Sequence, residues 1–137
     1  MSGWLGKWLG RRGAALHGEP ATTRLKTYCA QTGYVYQYHY LGNRETRHKG
    51  ESATEYVFDV AAGSESGLRV SVVVPAKSLE PNEIDCGRPL AHNERYAIAK
   101  MALFQAFDER PEPAAMRDEV VVRASDAAAI LATLGLV

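Results

Sequence analysis

The sequence predicts an α+β fold: an antiparallel sheet of four to five strands, with one long helix at about 93–110 and a C-terminal helix packed on one face. Three observations predict it. Between Arg24 and Val74 apolar and polar side chains alternate with the two-residue period of a strand. The segment NERYAIAKMALFQAFDER, Asn93 to Arg110, changes to a helical period. After it, Glu119 to Arg123 reads as a short strand, and an alanine-rich apolar run from Asp126 to Leu134 stops at Gly135, the usual place for glycine past a helix end.

The size and balance of the chain agree with one core. Its 137 residues are 46% hydrophobic and 23% charged, enough apolar matter to pack without metals or disulfides as staples. Sixteen basic residues stand against sixteen acidic ones, so attraction to nucleic acid or an anionic membrane has to come from a local patch. We read an amphipathic arm at 1–13, a linker at 14–23 and a single α+β domain at 24–137. Cys29 and Cys86 are too far apart in sequence for a C-x-x-C motif, and we expect buried small hydrophobes in a reducing compartment.

In chain order, the arm places Trp4, Leu5, Trp8 and Leu9 at helical spacing with Arg11 and Arg12 beside them. Indoles that bury area beside cations that stay wet suit a helix docking on a protein partner, or a peripheral contact with a membrane. Strands are expected at Arg24 to Ala30 and at Tyr34 to Leu41, the second ended by Gly42-Asn43. That second strand sets Tyr34, Tyr36, Tyr38 and Tyr40 on one face and Val35, Gln37, His39 and Leu41 on the other. Tyr56, Phe58 and Val60, then Leu68, Val70, Val72 and Val74, extend the tyrosine face across the next two strands. A single surface for the long helix to cover results, and the tyrosines are expected in the core.

Two connections stand out. Residues 42–54 read as a loop that carries Arg44, Arg47, His48 and Lys49, the densest basic cluster in the chain and a candidate contact for anions or nucleic-acid phosphates. Pro75 to His92 reads as a long irregular acidic connection, too rich in proline for a tight turn. On the helix, Tyr96, Leu103, Phe104 and Phe107 share one side, with Ala99, Ala102 and Ala106 as a small-residue strip beside them. Lys100 falls among the aromatics. Asn93 is expected to cap this helix, and Ser125 the last one.

The functional expectation is a small non-catalytic interaction or accessory-subunit module that docks on a protein partner through its arm. In the cell this places it in the cytoplasm, peripheral to a membrane or to a larger complex. One alternative is a nucleic-acid binder using residues 44–49, with tyrosines as stacking sites. The other is a small enzyme using Lys100, Cys86 or a histidine. A homodimer is an option because the last helix is so apolar. No cofactor and no metal are expected: the nucleotide, hydrolase and zinc motifs are missing, and the histidines are scattered.

Overall fold

The tyrosine strand is the frame on which the rest is laid. The computed structural model describes residues 15–135, so the arm at 1–13 lies outside the described residues. Strands β1 (Lys26–Cys29), β2 (Val35–His48), β3 (Glu51–Ala62) and β4 (Glu65–Pro75) form an antiparallel meander. Helices α1 (Ala76–Cys86) and α2 (His92–Glu109) follow, then a 3-10 turn at Pro113–Arg117, strand β5 (Val120–Val121) and helix α3 (Ala124–Thr133). The five strands lie in the order β1-β2-β3-β4-β5, and β5 joins β4 in parallel. The fold is α+β with a mixed sheet that is antiparallel except at this edge.

Strand alternation sorts the side chains as expected. Tyr36, Tyr38, Tyr56, Phe58, Val60, Leu68, Val70, Val72 and Val74 belong to one buried cluster with Ile98, Leu103 and Phe107 of α2 and Ile130 and Leu131 of α3. Tyr36 stacks on Phe107 at 4.1 Å and Tyr28 on Phe104 at 4.4 Å, while Tyr38 meets Phe104 edge-on at 5.6 Å. These are favourable ring geometries worth about 0.5–1.5 kcal/mol each beyond the area they bury. Tyr36 is 0% and Tyr38 4% exposed. Tyr34, at 39%, lies before β2 begins and escapes the cover.

Three expectations about the path of the chain need correction. Gly42-Asn43 does not end the second strand. Gly42 is a bulge, with a register shift between Tyr40 and Gly42, and β2 runs on to His48. A Cβ at Gly42 would lie 2.8 Å from the His17 carbonyl oxygen and 2.9 Å from Leu16 Cβ, and its φ is +130°. Glycine therefore lets the incoming chain cross close to the strand, where His17 and Asn43 exchange backbone hydrogen bonds of 2.7 and 2.8 Å. The real turn is at Lys49-Gly50, both at positive φ (51° and 79°), as a two-residue hairpin requires. Residues 44–49 are thus strand and turn rather than loop.

Second, the segment after β4 is helical. Prolines 75 and 81 conceal this in the sequence: Pro75 occupies the N-cap, and Pro81 sits inside α1, where it removes one backbone donor. Gly87 (φ 71°) closes the helix, its N–H donating to the Ile84 carbonyl and that of Arg88 to the Glu83 carbonyl, a Schellman ending. Third, the helix starts are held by carboxylates near them rather than by Asn93 or Ser125. Glu94 accepts from the Ala91 N–H at 2.7 Å and Asp126 from the Arg123 N–H at 2.9 Å.

The last helix packs within its own chain. Ala127, Ile130 and Leu131 are buried in the core cluster, and Ser78 of α1 donates to the Val122 carbonyl at 2.7 Å, tying α1 to the start of α3. Cys29 is exposed and Cys86 half-buried, both as free thiols, which corrects the expectation of buried cysteines.

Candidate binding face

The alternation that makes one face of the sheet dry makes the other polar. Directly paired residues share a face, so the side away from the helices carries His39 with Asp59 and Arg44 with Glu55 across β2 and β3. Across β3 and β4 it carries Asp59 with Arg69, Val57 with Ser71 and Glu55 with Val73. Val57, Val73 and Ala53 on this side are buried although they are not part of the core cluster under the helices. The charged side chains around them stand on a closed apolar floor.

Near the hairpin tip this face forms a concavity of about 740 Å3 lined by Arg44, Arg47, His48, Lys49, Arg69, Glu55, Ser71 and Glu119, with Thr46 and Val73. The hairpin register places Arg44 and His48 on it, four residues apart on one strand. Four permanent cations thus face two carboxylates. Glu55 is the hub: it accepts from Arg44 Nε at 2.8 Å and from the Ser71 hydroxyl. Burial pushes the Glu55 carboxyl up, but those two hydrogen bonds and the charges of Arg44 and Arg69 outweigh it and hold the group below the ordinary carboxylate range.

Beyond this hub the cations are less engaged. Arg47 donates to the Gly50 carbonyl at 2.6 Å, which braces the turn. Among the described residues, Arg47, Lys49 and Arg69 have no carboxylate at ion-pair distance. His48 Nδ1 is 3.9 Å from Glu119 Oε1, too long for a hydrogen bond. The Ser71 hydroxyl donates to the Glu55 carboxylate, which fixes its orientation toward the hub. In chemical terms the concavity is rich in cations and suited to attracting an anion.

All four residues singled out in the basic segment, Arg44, Arg47, His48 and Lys49, come together here. Arg69, Ser71, Glu55 and Glu119 were missed; the cross-strand alternation of β3 and β4 was the signal for the first three, while Glu119 arrives through the β5 connection. Trp4, Leu5, Trp8, Leu9, Arg11 and Arg12 lie outside the described residues. Lys100 is half-buried with its Nζ 5.9 Å from the Phe104 ring centre, and burial with the nearby charge of Lys26 lowers its pKa. Neither Lys100 nor Cys86 lines this concavity or the smaller ones of about 240 and 110 Å3. The described residues contain no group of three His, Cys, Asp or Glu side chains arranged for a metal, and no helix among them is long and apolar enough to cross a membrane.

No protein family, curated protein or solved structure matches the chain.

Proposed function

We propose that the chain is a small non-catalytic interaction module that engages an acidic segment of a protein partner through the cationic end of its helix-free sheet face, with the arm at 1–13 as a second contact. The observation that carries this reading is the grouping of Arg47, Lys49 and Arg69 around one concavity without carboxylate partners of their own. A partner carboxylate there gains charge-assisted hydrogen bonds without breaking an existing pair. A protein is favoured over a nucleic acid for a specific reason: Tyr36 and Tyr38 are packed under α2, so they offer no platform for stacking bases. The balanced net charge of the chain points the same way.

The test is binding of a fluorescent poly-glutamate peptide, with a single-stranded oligonucleotide of equal charge as competitor. The peptide is expected to bind the full chain, to weaken with salt, and to lose at least tenfold in affinity in Arg47→Glu/Lys49→Glu. Tighter binding of the oligonucleotide overturns the protein reading in favour of nucleic acid. A parallel pull-down with residues 1–13 deleted checks the arm, whose loss is expected to remove co-purifying partners.

A further inference from the structure

On the other side of the β2–β3 hairpin, where the ends of α1 and α2 meet the sheet, lies a pocket of about 110 Å3 lined by Arg95, Glu45, Glu83, Tyr56, Thr54 and Ala76, among others. Its charges are unmatched. Arg95 Nε is buried with no hydrogen-bond partner, and among the described residues the guanidinium forms no ion pair. A buried donor left unmade is costly, and more so when it is charged. Two carboxylates share the same space, yet each is tied elsewhere: Glu83 Oε2 accepts the Leu90 N–H at 2.8 Å and Glu45 Oε1 accepts the Thr54 hydroxyl at 3.2 Å. Ala76 is the first residue of α1, whose N-terminus has no side-chain cap and no acidic residue in its first turn, so it adds positive potential on the side of the pocket it lines.

A plain anion would suit Arg95 and the helix end but would be repelled by two carboxylates. A plain cation would meet the opposite objection. A molecule that carries both charges satisfies all of these groups at once. At about 30 Å3 for each water displaced, the pocket holds three or four waters' worth of ligand, which restricts it to the smallest such molecules.

We propose that this pocket binds a small zwitterion, an α-amino acid with little or no side chain, its carboxylate on the Arg95 guanidinium and its ammonium between Glu45 and Glu83. The site is separate from the cationic sheet face and does not depend on the partner proposed there. Saturating glycine or alanine is expected to raise the Tm of the full-length protein by roughly 2–4 °C, while acetate, inorganic phosphate and methylammonium raise it by less than half as much. Arg95→Met is expected to abolish the shift without lowering the ligand-free Tm, because it removes a half-buried side chain whose buried Nε has no hydrogen-bond partner. Glu83→Gln is expected to weaken glycine at least tenfold and to leave acetate unaffected or improved. No shift with any amino acid, meaning that water alone fills the pocket, overturns the proposal. So does an equal shift with acetate or phosphate, or a glycine response that survives in Arg95→Met.

Discussion

The two faces of the β2–β3–β4 sheet are written in the same strands, one residue apart, and they fail under opposite conditions. On the covered face the core tyrosines Tyr36, Tyr38 and Tyr56 are driven toward the neutral form by burial. On the other, the pivotal group is Glu55, which Arg44, Ser71 and Arg69 keep charged despite its burial. Alternation along a strand is enough to build a dry layer and an electrostatic layer back to back, with no change of secondary structure between them. The difference also separates roles. The dry face holds the fold together, and the charged face is the one proposed to meet a partner.

The largest break in this comparison comes from the dry face. Phe107 is fully buried and stacks on Tyr36, so Phe107→Ala is expected to cost about 3–5 kcal/mol, read as a lower denaturant midpoint. A loss below about 1 kcal/mol would mean that α2 does not seal the tyrosines. At the bulge between the two regimes, Gly42→Ala puts a methyl against the His17 carbonyl oxygen at a φ that L residues avoid, and a loss of about 1–3 kcal/mol is expected. Crystals or amide exchange should show the 15–18 segment displaced.

That bulge also marks how far the sequence could be read. The faces, the α2 boundaries and the tail were legible because period-two and period-3.6 patterns are carried by many residues at once, and no single substitution hides them. What was hidden depended on single residues with two meanings. Gly42-Asn43 serves as a strand end or as a bulge, and only the approach of His17, far off in sequence, decides which. Pro75 and Pro81 argue for an irregular segment unless Leu79 is seen to be buried in the core and Ser78 to reach the Val122 carbonyl. Of the candidate face, the β2 residues were legible as a charge cluster. The β3 and β4 contributions were not, because Glu55 and Arg69 become neighbours of Arg44 only through register.

The opposite pH responses give a smaller but more diagnostic effect. Tyr28 is pushed up to about 12 by the hydrogen bond it donates to Asp108, by burial and by the charge of that carboxylate. Tyr56 is pushed up to about 12, mainly by burial. A phenol whose folded pKa lies above its unfolded value of about 10 contributes stability that is complete below pH 10 and is lost as pH rises from 10 toward 12. Glu55 has the reverse sign: its contribution is present above the ordinary carboxylate pKa of about 4.5 and is lost as pH falls through its lower folded value. In pH-dependent urea titrations, Tyr28→Phe should make the alkaline limb shallower and leave the acid limb alone. Glu55→Gln should do the converse, with a loss of about 1–3 kcal/mol at neutral pH because the amide keeps one acceptor oxygen where Arg44 and Ser71 used two, and the charge facing Arg44 is gone.

The smallest expected effect on stability sharpens the comparison most. Arg47 and Lys49 lie at the exposed tip, and Arg47 donates to the Gly50 carbonyl. If the charged face serves binding and not folding, Arg47→Glu/Lys49→Glu changes the unfolding free energy by no more than about 0.5 kcal/mol, the usual range for surface positions, while acidic-peptide binding falls at least tenfold. Lys49→Gly gives the internal control, because it removes the charge and also relieves a non-glycine residue at φ 51°. It is expected to stabilise the hairpin by about 0.5–1 kcal/mol and still to weaken binding. A variant more stable than its parent yet poorer at binding would show that a turn unsuited to lysine is retained for its charge. Unchanged binding in both variants would return the tip to the role of a solvated turn.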